Sequence, residues 1–329
     1  MSLFIRYLVV IAVLCGVYLL PHLFIGEFKT ELHILLLIKL PICITAIIVG
    51  SCIASGSAAL QTTLNNPLAD PGIIGISSGA SLVAAIFLVF VSTSSASESE
   101  NISSLFAHLQ NYSLYYLPLM CFIGAALSGL LIYQLSKKTG GAIASVILAG
   151  IAISTLFSAV VGWIYLVAPP QSLQSLTFWL MGSLSYTNFT SLIIVLPIAG
   201  IALYLLMNKS SMLNLLYLGE QAAMSAGVNA KKIQSQIFIL VAVLIGMSVS
   251  IAGSIAFLGL LVPHFVRQLH GYDNKQVIVY SAMLGSIVML LCAIINEYFS
   301  NTAIPISMLT ASIGAPLFIY IMLSRQHTR

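Results

Sequence analysis

Apolar residues are gathered along this chain in long blocks separated by short polar connections. An α-helix needs about 20 mostly apolar residues to cross a bilayer. Blocks near that length lie at about 7–25, 39–60, 75–93, 114–135, 144–168, 190–207, 233–252, 277–297 and 306–324, and a shorter one at about 254–268 is ambiguous by length alone. The pattern predicts an all-α polytopic membrane protein. Two connections stand out. Residues 92–113 are polar and Ser-rich and read as a flexible loop, with sequons at Asn101 and Asn111 that read as chance matches. Residues 208–232 are too polar to span, yet read helical around Leu215–Ala226, with Gly227 placed as the stop. Arg6 before the apolar run 7–20 looks like the start of a signal peptide. No small-x-small cleavage site follows it, so an uncleaved first span is expected.

Composition narrows the class. Of 329 residues, 60% are hydrophobic and 6% charged, against about 25% charged in a soluble domain. Twelve Lys and Arg with eight Asp and Glu cannot cover a water-soluble surface of this size. A soluble enzyme, a disordered chain and a disulfide-stapled secreted module are thereby excluded. The net charge of +4 is dispersed rather than clustered, so nucleic acid is not an expected partner. Cys15, Cys43, Cys52, Cys121 and Cys292 sit in apolar runs without CxxC or Cys/His spacing and read as small hydrophobes. No metal site and no cofactor is expected.

Charge also arbitrates the number of spans, because short cytoplasmic loops carry the excess of Lys and Arg. Ten spans with the N-terminus inside place Arg6, Lys137, Lys138, Lys209, Lys231, Lys232, Arg267, Lys275, Arg325 and Arg329 in the cytoplasm. That is 10 of 12 basic residues, leaving Lys29 and Lys39 outside. Nine spans move Arg325 and Arg329 outside and cannot put Arg267 and Lys275 on the inner side with Lys231. Ten spans with both termini cytoplasmic is the expectation.

An ionisable residue deep in a span marks function by default. Here every charged residue lies in a connection or within about a turn of a span end. Proton- and sodium-coupled carriers lose support, and the absence of HExxH, GxSxG and paired carboxylates disfavours a membrane enzyme. His22, His33, His108, His270 and His327 read as solvated or interfacial. Glycine and proline interrupt the spans instead. Asn65-Asn66-Pro67-Leu68-Ala69-Asp70-Pro71-Gly72 is a helix breaker, followed by Gly75 and Ser77-Ser78-Gly79; a second interruption is read at Gly253, Gly259 and Pro263-His264. Broken backbone at membrane depth survives only where protein or a water-filled cavity satisfies it, although some of these glycines can simply serve close packing. The second block leads into the first break and the seventh into the second. That arrangement suggests two inverted five-helix halves with a substrate path between them.

These motifs resemble the FecCD-type permeases of ABC importers for iron–siderophores, haem and vitamin B12, and the resemblance covers nearly the whole chain. NNPLADPGIIGISSGA (65–80) is similar to the family's NPLADPG-LG-SSGA signature, and SIAFLGLLVPHFVRQLHG (254–271) to its IGFVGL-VPH-x-x-R signature. LYLGEQAAMSAGV (216–228) is similar to its LG-x-x-A-x-x-LGV segment, and FWLMGSL (178–184) and IPISMLTASIGAPLFIYIML (304–323) match two further blocks. The resemblance implies one transmembrane domain over 1–329 with the type II ABC importer permease fold, in the cytoplasmic membrane. It implies a second permease subunit, two ATPase subunits and an extracytoplasmic binding protein as partners, besides the surrounding lipid. It implies that Leu218, Gly219, Glu220, Gln221, Ala222, Ala226 and Gly227 belong to a coupling helix seated on the ATPase. No P-loop is present, so the chain is expected to be a transport subunit and not an enzyme. The expected cargo is an iron–siderophore chelate moved by alternating access. Haem or cobalamin import is the alternative, and a stand-alone secondary carrier is the reading from another class.

Within that resemblance some residues depart from the pattern. Many members carry two arginines at the start of the second span and another before the tenth, for docking the binding protein. Here those positions hold Lys39, Ile42 and the Asn296-Glu297 pair, so only Lys39 keeps a docking charge. Lysine cannot reproduce bidentate carboxylate geometry, which favours a heterodimer over a homodimer. Asp70 and Pro71 read as turn-shaping, His264 as structural or capping, and Met181, Met247 and Met308 as packing.

Overall fold

The computed structural model describes residues 3–19, 32–72, 74–94, 113–139, 143–185, 187–299 and 304–324. Most of the Ser-rich loop with its two sequons, together with Lys29, His22, His108, His327, Arg325 and Arg329, falls outside the described residues. Thirteen α-helices follow one another, with no strand among the described residues. They are α1 (Leu3–Leu19), α2 (Leu40–Thr63), α3 (Ile76–Ser94), α4 (Ser113–Lys138), α5 (Ile143–Val167), α6 (Pro170–Leu180) and α7 (Phe189–Asn208). After them come α8 (Ser210–Tyr217), α9 (Glu220–Ser225), α10 (Ala230–Ala252), α11 (Leu258–His270), α12 (Asn274–Tyr298) and α13 (Ile306–Ser324). Among the described residues, six helical stretches are long and apolar enough to cross a bilayer; Leu3–Leu19, Ile76–Val89 and Ile306–Ile319 are apolar and shorter.

The centre of the bundle is α2, whose residues from Cys52 to Thr63 are all buried. Between lipid-immersed helices no hydrophobic force drives association, so packing relies on small residues that let backbones approach. Gly50 of α2 and Gly285 of α12 show this directly, since a Cβ added to either would land on the other's carbonyl. Gly79 of α3 and Gly124 of α4 meet in the same reciprocal way, which makes Gly79 a packing residue. Across the bundle, α2 packs on α12 and α10 packs on α4. The outer ring is apolar and exposed, with Leu148, Trp163 and Leu166 on α5 and Ile193 and Ile201 on α7 presented outward.

Three elements differ from the sequence-based expectation. The helix expected over Leu215–Ala226 is two helices, because Gly219 stands between α8 and α9 at φ 109°, a conformation that a residue with a Cβ resists. Gly227 does end α9: at φ 77°, it and Val228 donate to the Met224 and Ala223 carbonyls and close the last turn. The short block 254–268 is α11; of the residues read as the second interruption, Gly253 marks where the backbone leaves the helix, at 253–257, while Gly259, Pro263 and His264 lie inside α11. Finally, α6 was not foreseen. Gln171, Ser172, Gln174 and Ser175 make it too polar to read as a span, while Pro170 starts it at the position where proline's missing N–H is harmless.

Candidate functional site

The first break is built from local side-chain turns. Asn65 takes a left-handed conformation at φ 42°. Asn66 Oδ1 accepts from the Leu68 N–H at 2.9 Å, and Asp70 Oδ1 accepts from the Gly72 N–H at 2.8 Å. Such Asx turns give the backbone an alternative to the helix, so α2 stops at Thr63 and α3 starts at Ile76. Beyond Pro71, Gly75 at φ 89° presses on α4 and α5: its carbonyl accepts from Ser128 Oγ at 2.6 Å, and a Cβ would lie 2.9 Å from the Gly150 carbonyl.

The second break holds Gly253 at φ 70° and Phe257 at φ 66°. Hydrogen bonds tie it to two distant segments, which are also bonded to each other. The Ser183 N–H donates to the Ala252 carbonyl at 2.9 Å, the Ile306 N–H to the Gly182 carbonyl at 3.0 Å, and Ser307 Oγ to the Ser254 carbonyl at 2.7 Å. The stretches 178–184, 252–257 and 304–308 thus form one knot, in which Met181 offers its carbonyl to the Ser307 N–H.

The two breaks meet across α2 and α11. Proline at 263 has no N–H to give to the carbonyl four residues back, Gly259. That carbonyl accepts instead from Gln61 Nε2 at 3.1 Å. Gln61 Oε1 accepts from Arg267 Nη1, and Arg267 Nη2 donates to the Ala58 carbonyl at 3.1 Å. Gly259 has to be a glycine for this contact, since a Cβ there would strike Ser57 Oγ and lie 2.5 Å from Asp70 Oδ2. Asn65, Asn66, Pro67, His264 and Arg267 line a single cavity of about 200 Å³ together with Tyr217 and Tyr272. His264 is held by Gln268 at 3.1 Å and edges onto the Phe318 ring.

From this clasp a chain of hydrogen bonds runs to α8. Arg267 Nη2 reaches Thr62 Oγ1 at 3.4 Å, and Thr62 Oγ1 donates to Asn274 Oδ1 at 2.7 Å. Asn274, only 1% exposed, donates from its backbone N–H and from Nδ2 to Asn214 Oδ1, both at 2.8 Å. Asn214 Nδ2 donates in turn to Asp273 Oδ1 at 2.7 Å. That bond, with the Lys275 backbone N–H, holds the Asp273 carboxyl below its ordinary value. The Tyr217 ring stacks on Tyr272 with centroids 6.0 Å apart.

Next in the chain, α9 is anchored through Ala223 and Glu220 and is otherwise largely exposed. Ala223 is buried and Glu220 Oε1 accepts from Gln234 Nε2 of α10 at 3.0 Å. Gln221, Ala226 and Gly227 face outward, while Ala222 is half-buried. Leu218 is 71% and Met224 58% exposed, an apolar pair that flanks a polar connection. This end of the bundle carries Lys137, Lys209, Lys231, Arg267 and Lys275 and is its basic end.

At the opposite end, Lys39 closes the π-helical turn that leads into α2 and forms an ion pair with Glu297 of α12. Its ammonium lies 5.7 Å from the centroid of the Tyr18 ring. Asn296 exchanges two hydrogen bonds with the Ile304 backbone, at 3.1 and 3.2 Å. Sequence reasoning singled out the break residues and the α9 segment. It missed Gln61, Asn214 and Asn274, whose only signal was an amide in or beside an apolar block.

The family model described as the FecCD transport family matches residues 2–324. The haemin transport system permease HmuU of Yersinia pestis is 31% identical over 298 residues, covering 90% of this chain and 85% of the relative. The iron(3+)-hydroxamate import permease FhuG of Bacillus subtilis is 33% identical over 91% of this chain and 85% of its own length. The vitamin B12 import permease BtuC of Vibrio parahaemolyticus is 31% identical over 98% and 96%. A solved ABC transporter described as of metal-chelate type, in an inward-facing conformation, superposes with a TM-score of 0.84 at 28% identity, over 98% of both chains.

Proposed function

This chain belongs to the FecCD transport family, and from that premise we propose that it is the permease subunit through which an ATP-driven importer passes a ferric siderophore by alternating access. At the coarser level it is a multi-pass inner-membrane permease of an ABC importer for iron-chelate, haem or B12 cargo, with ATP hydrolysed by a separate subunit. The basic end faces the cytoplasm, following the rule that inner loops hold the lysines and arginines.

The observation that carries the coupling role is α9 itself. It is a short helix with exposed Met224, preceded by exposed Leu218, fixed to the bundle by Ala223 and Glu220, and adjacent to α8. An ATPase that grips α9 moves α8 with it. The Asn214–Asn274–Thr62–Arg267 chain passes that displacement to Gln61 and Gly259, where the two breaks meet. Broken helices can change their relative tilt at low cost because their freed backbone groups are already satisfied by side chains. Asp70, Pro71 and Gly72 shape the first break in this mechanism, and Gly259 permits the close approach. The Lys39–Glu297 pair stands at the end that would receive the binding protein. With its charge neutralised internally, Lys39 offers little docking force alone, which favours a second, different permease subunit as the main docking partner. Among cargoes a ferric siderophore stands first. Haem and cobalamin are the alternatives, since relatives named for each class are similar to this chain to nearly the same degree.

The test is ATP-driven uptake by the complete complex in proteoliposomes, with ferric hydroxamate, haemin and cobalamin supplied separately. Uptake of the iron chelate alone is expected. Uptake of haemin or cobalamin instead would overturn the cargo and leave the permease role intact. A Gly219→Pro, Glu220→Ala variant should fold, bind cargo and fail to transport; transport at the unaltered rate would refute the coupling role of α9. Uptake that survives ATP depletion would mean a stand-alone carrier.

A further inference from the structure

A second cavity lies at the basic end, beside the end of α2. It measures about 160 Å³ and opens between the last turns of α4, the first turns of α10 and the start of α5. Leu64, Val146 and Phe238 make its walls apolar. Tyr133 stacks on Phe238 with centroids 6.4 Å apart, and its hydroxyl accepts from Ser235 Oγ at 3.0 Å, so the wall is rigid. Lys137 and Lys231 stand at its rim, one from each helix, both exposed. Neither has a hydrogen-bond or ion-pair partner among the described residues, and no carboxylate lines the cavity.

An apolar slot under two unpaired cations fits one chemistry, an anion carried on a hydrocarbon chain. The depth agrees, because the ends of membrane-spanning helices lie at the headgroup level, where basic pockets between helices attract anionic lipid. We propose that this cavity binds an anionic phospholipid. Its acyl chain lies against Val146 and Phe238, and its phosphate bridges Lys137 and Lys231. The site has a consequence for coupling that rests on the reading of α9 given above. Gln234, which also lines the cavity, is the residue that holds Glu220 of α9. A bound lipid therefore braces the footing of α9.

The binding test uses the full chain purified in detergent with its partner subunits, titrated with phosphatidylglycerol or phosphatidylcholine and read by native mass spectrometry. Phosphatidylglycerol should be retained and phosphatidylcholine lost. A lysine near an anionic lipid contributes an amount equal to about a fivefold change in affinity. The K137Q/K231Q variant should thus bind phosphatidylglycerol roughly 25-fold more weakly. The K138Q/K232Q variant removes the same charge one residue along, off the cavity, and should bind as the unaltered protein does. Equal weakening in both variants would reduce the effect to diffuse surface charge and overturn the site. So would equal retention of the two lipids, or full retention by K137Q/K231Q. The second readout is cargo moved per ATP hydrolysed, with and without phosphatidylglycerol. If the lipid binds as described and this ratio does not change, the site stands and the link to α9 falls.

Discussion

Replacing Gln61 with leucine probes the clasp between the two helix breaks. Gln61 is 2% exposed, and leucine fills nearly the same volume, so the change removes hydrogen bonding with little loss of packing. Two bonds disappear. The first is the donation from Nε2 to the Gly259 carbonyl, which Pro263 leaves without a helical partner. Interhelical hydrogen bonds in membrane proteins average about 0.6 kcal/mol and reach about 1.7. The second is the donation from Arg267 to Oε1, and a bond to a charged group is typically about 1.5–3 kcal/mol. Arg267 keeps the Ala58 carbonyl and Thr62, so the lower part of that range applies. The expected loss is about 2–3 kcal/mol. Pro263→Ala supplies the internal control. It restores an N–H four residues after Gly259, so in the Gln61→Leu background it should recover about 1 kcal/mol, the share belonging to the carbonyl, and none of the arginine share. The assay is unfolding of the purified full chain in mixed detergent micelles, for both single variants and the double. Additive effects, or a loss below about 0.5 kcal/mol for Gln61→Leu, would refute the assignment of Gln61 as the partner that proline's absent N–H requires.

The other expectations follow from single contacts. Gly259→Ala forces its methyl onto Ser57 Oγ and Asp70 Oδ2 and should destabilise by about 1–3 kcal/mol; a variant that unfolds like the unaltered protein would mean that α2 and α11 are not in contact there. Asn274→Ala interrupts the path from Asn214 to Thr62 and should lower cargo moved per ATP at least about fivefold while ATP hydrolysis continues. An unchanged ratio would show that the chain of bonds carries no motion. Asp273 is held below its ordinary value of 3.8, so its capping bonds contribute fully above that value and are lost as pH falls through the lower folded value. Melting between pH 7 and 5 should therefore show no change from this group, and Asp273→Ala should lower stability by about 1 kcal/mol throughout that window. A loss that sets in only below pH 5 would contradict both the cap and the direction of the shift.

How much of this was legible beforehand depends on the range over which each residue acts. The break at 65–72 was visible because Asn66, Asp70 and Pro67 act on their own backbone within two residues. Gly227 was visible as a stop for the same reason. Of the residues read as the second break, Gly253 marks it, whereas Pro263, whose effect in isolation is to break a helix, lies inside α11. Whether Pro263 breaks its helix depends on Gln61, 202 residues earlier, which takes up the carbonyl that proline frees. Lys39 read as a lone docking charge because Glu297, its ion-pair partner, lies 258 residues away. Helix α6 stayed hidden because its own polarity argued against a span, and it is held by backbone contacts around Gly182 and Gly253 that no local pattern encodes.

By itself, the sequence determined the class and the chemistry that is excluded. Sixty per cent hydrophobic residues and so few charges leave only a membrane for solvent, because transfer of apolar surface from water is additive along the chain and needs no partner. Tertiary structure alone decided which amide answers which carbonyl, which glycine must lack a methyl group, and how α8 connects to the breaks. Those are directional or short-range interactions, effective over about 3 Å between residues that the chain brings together only when its helices pack.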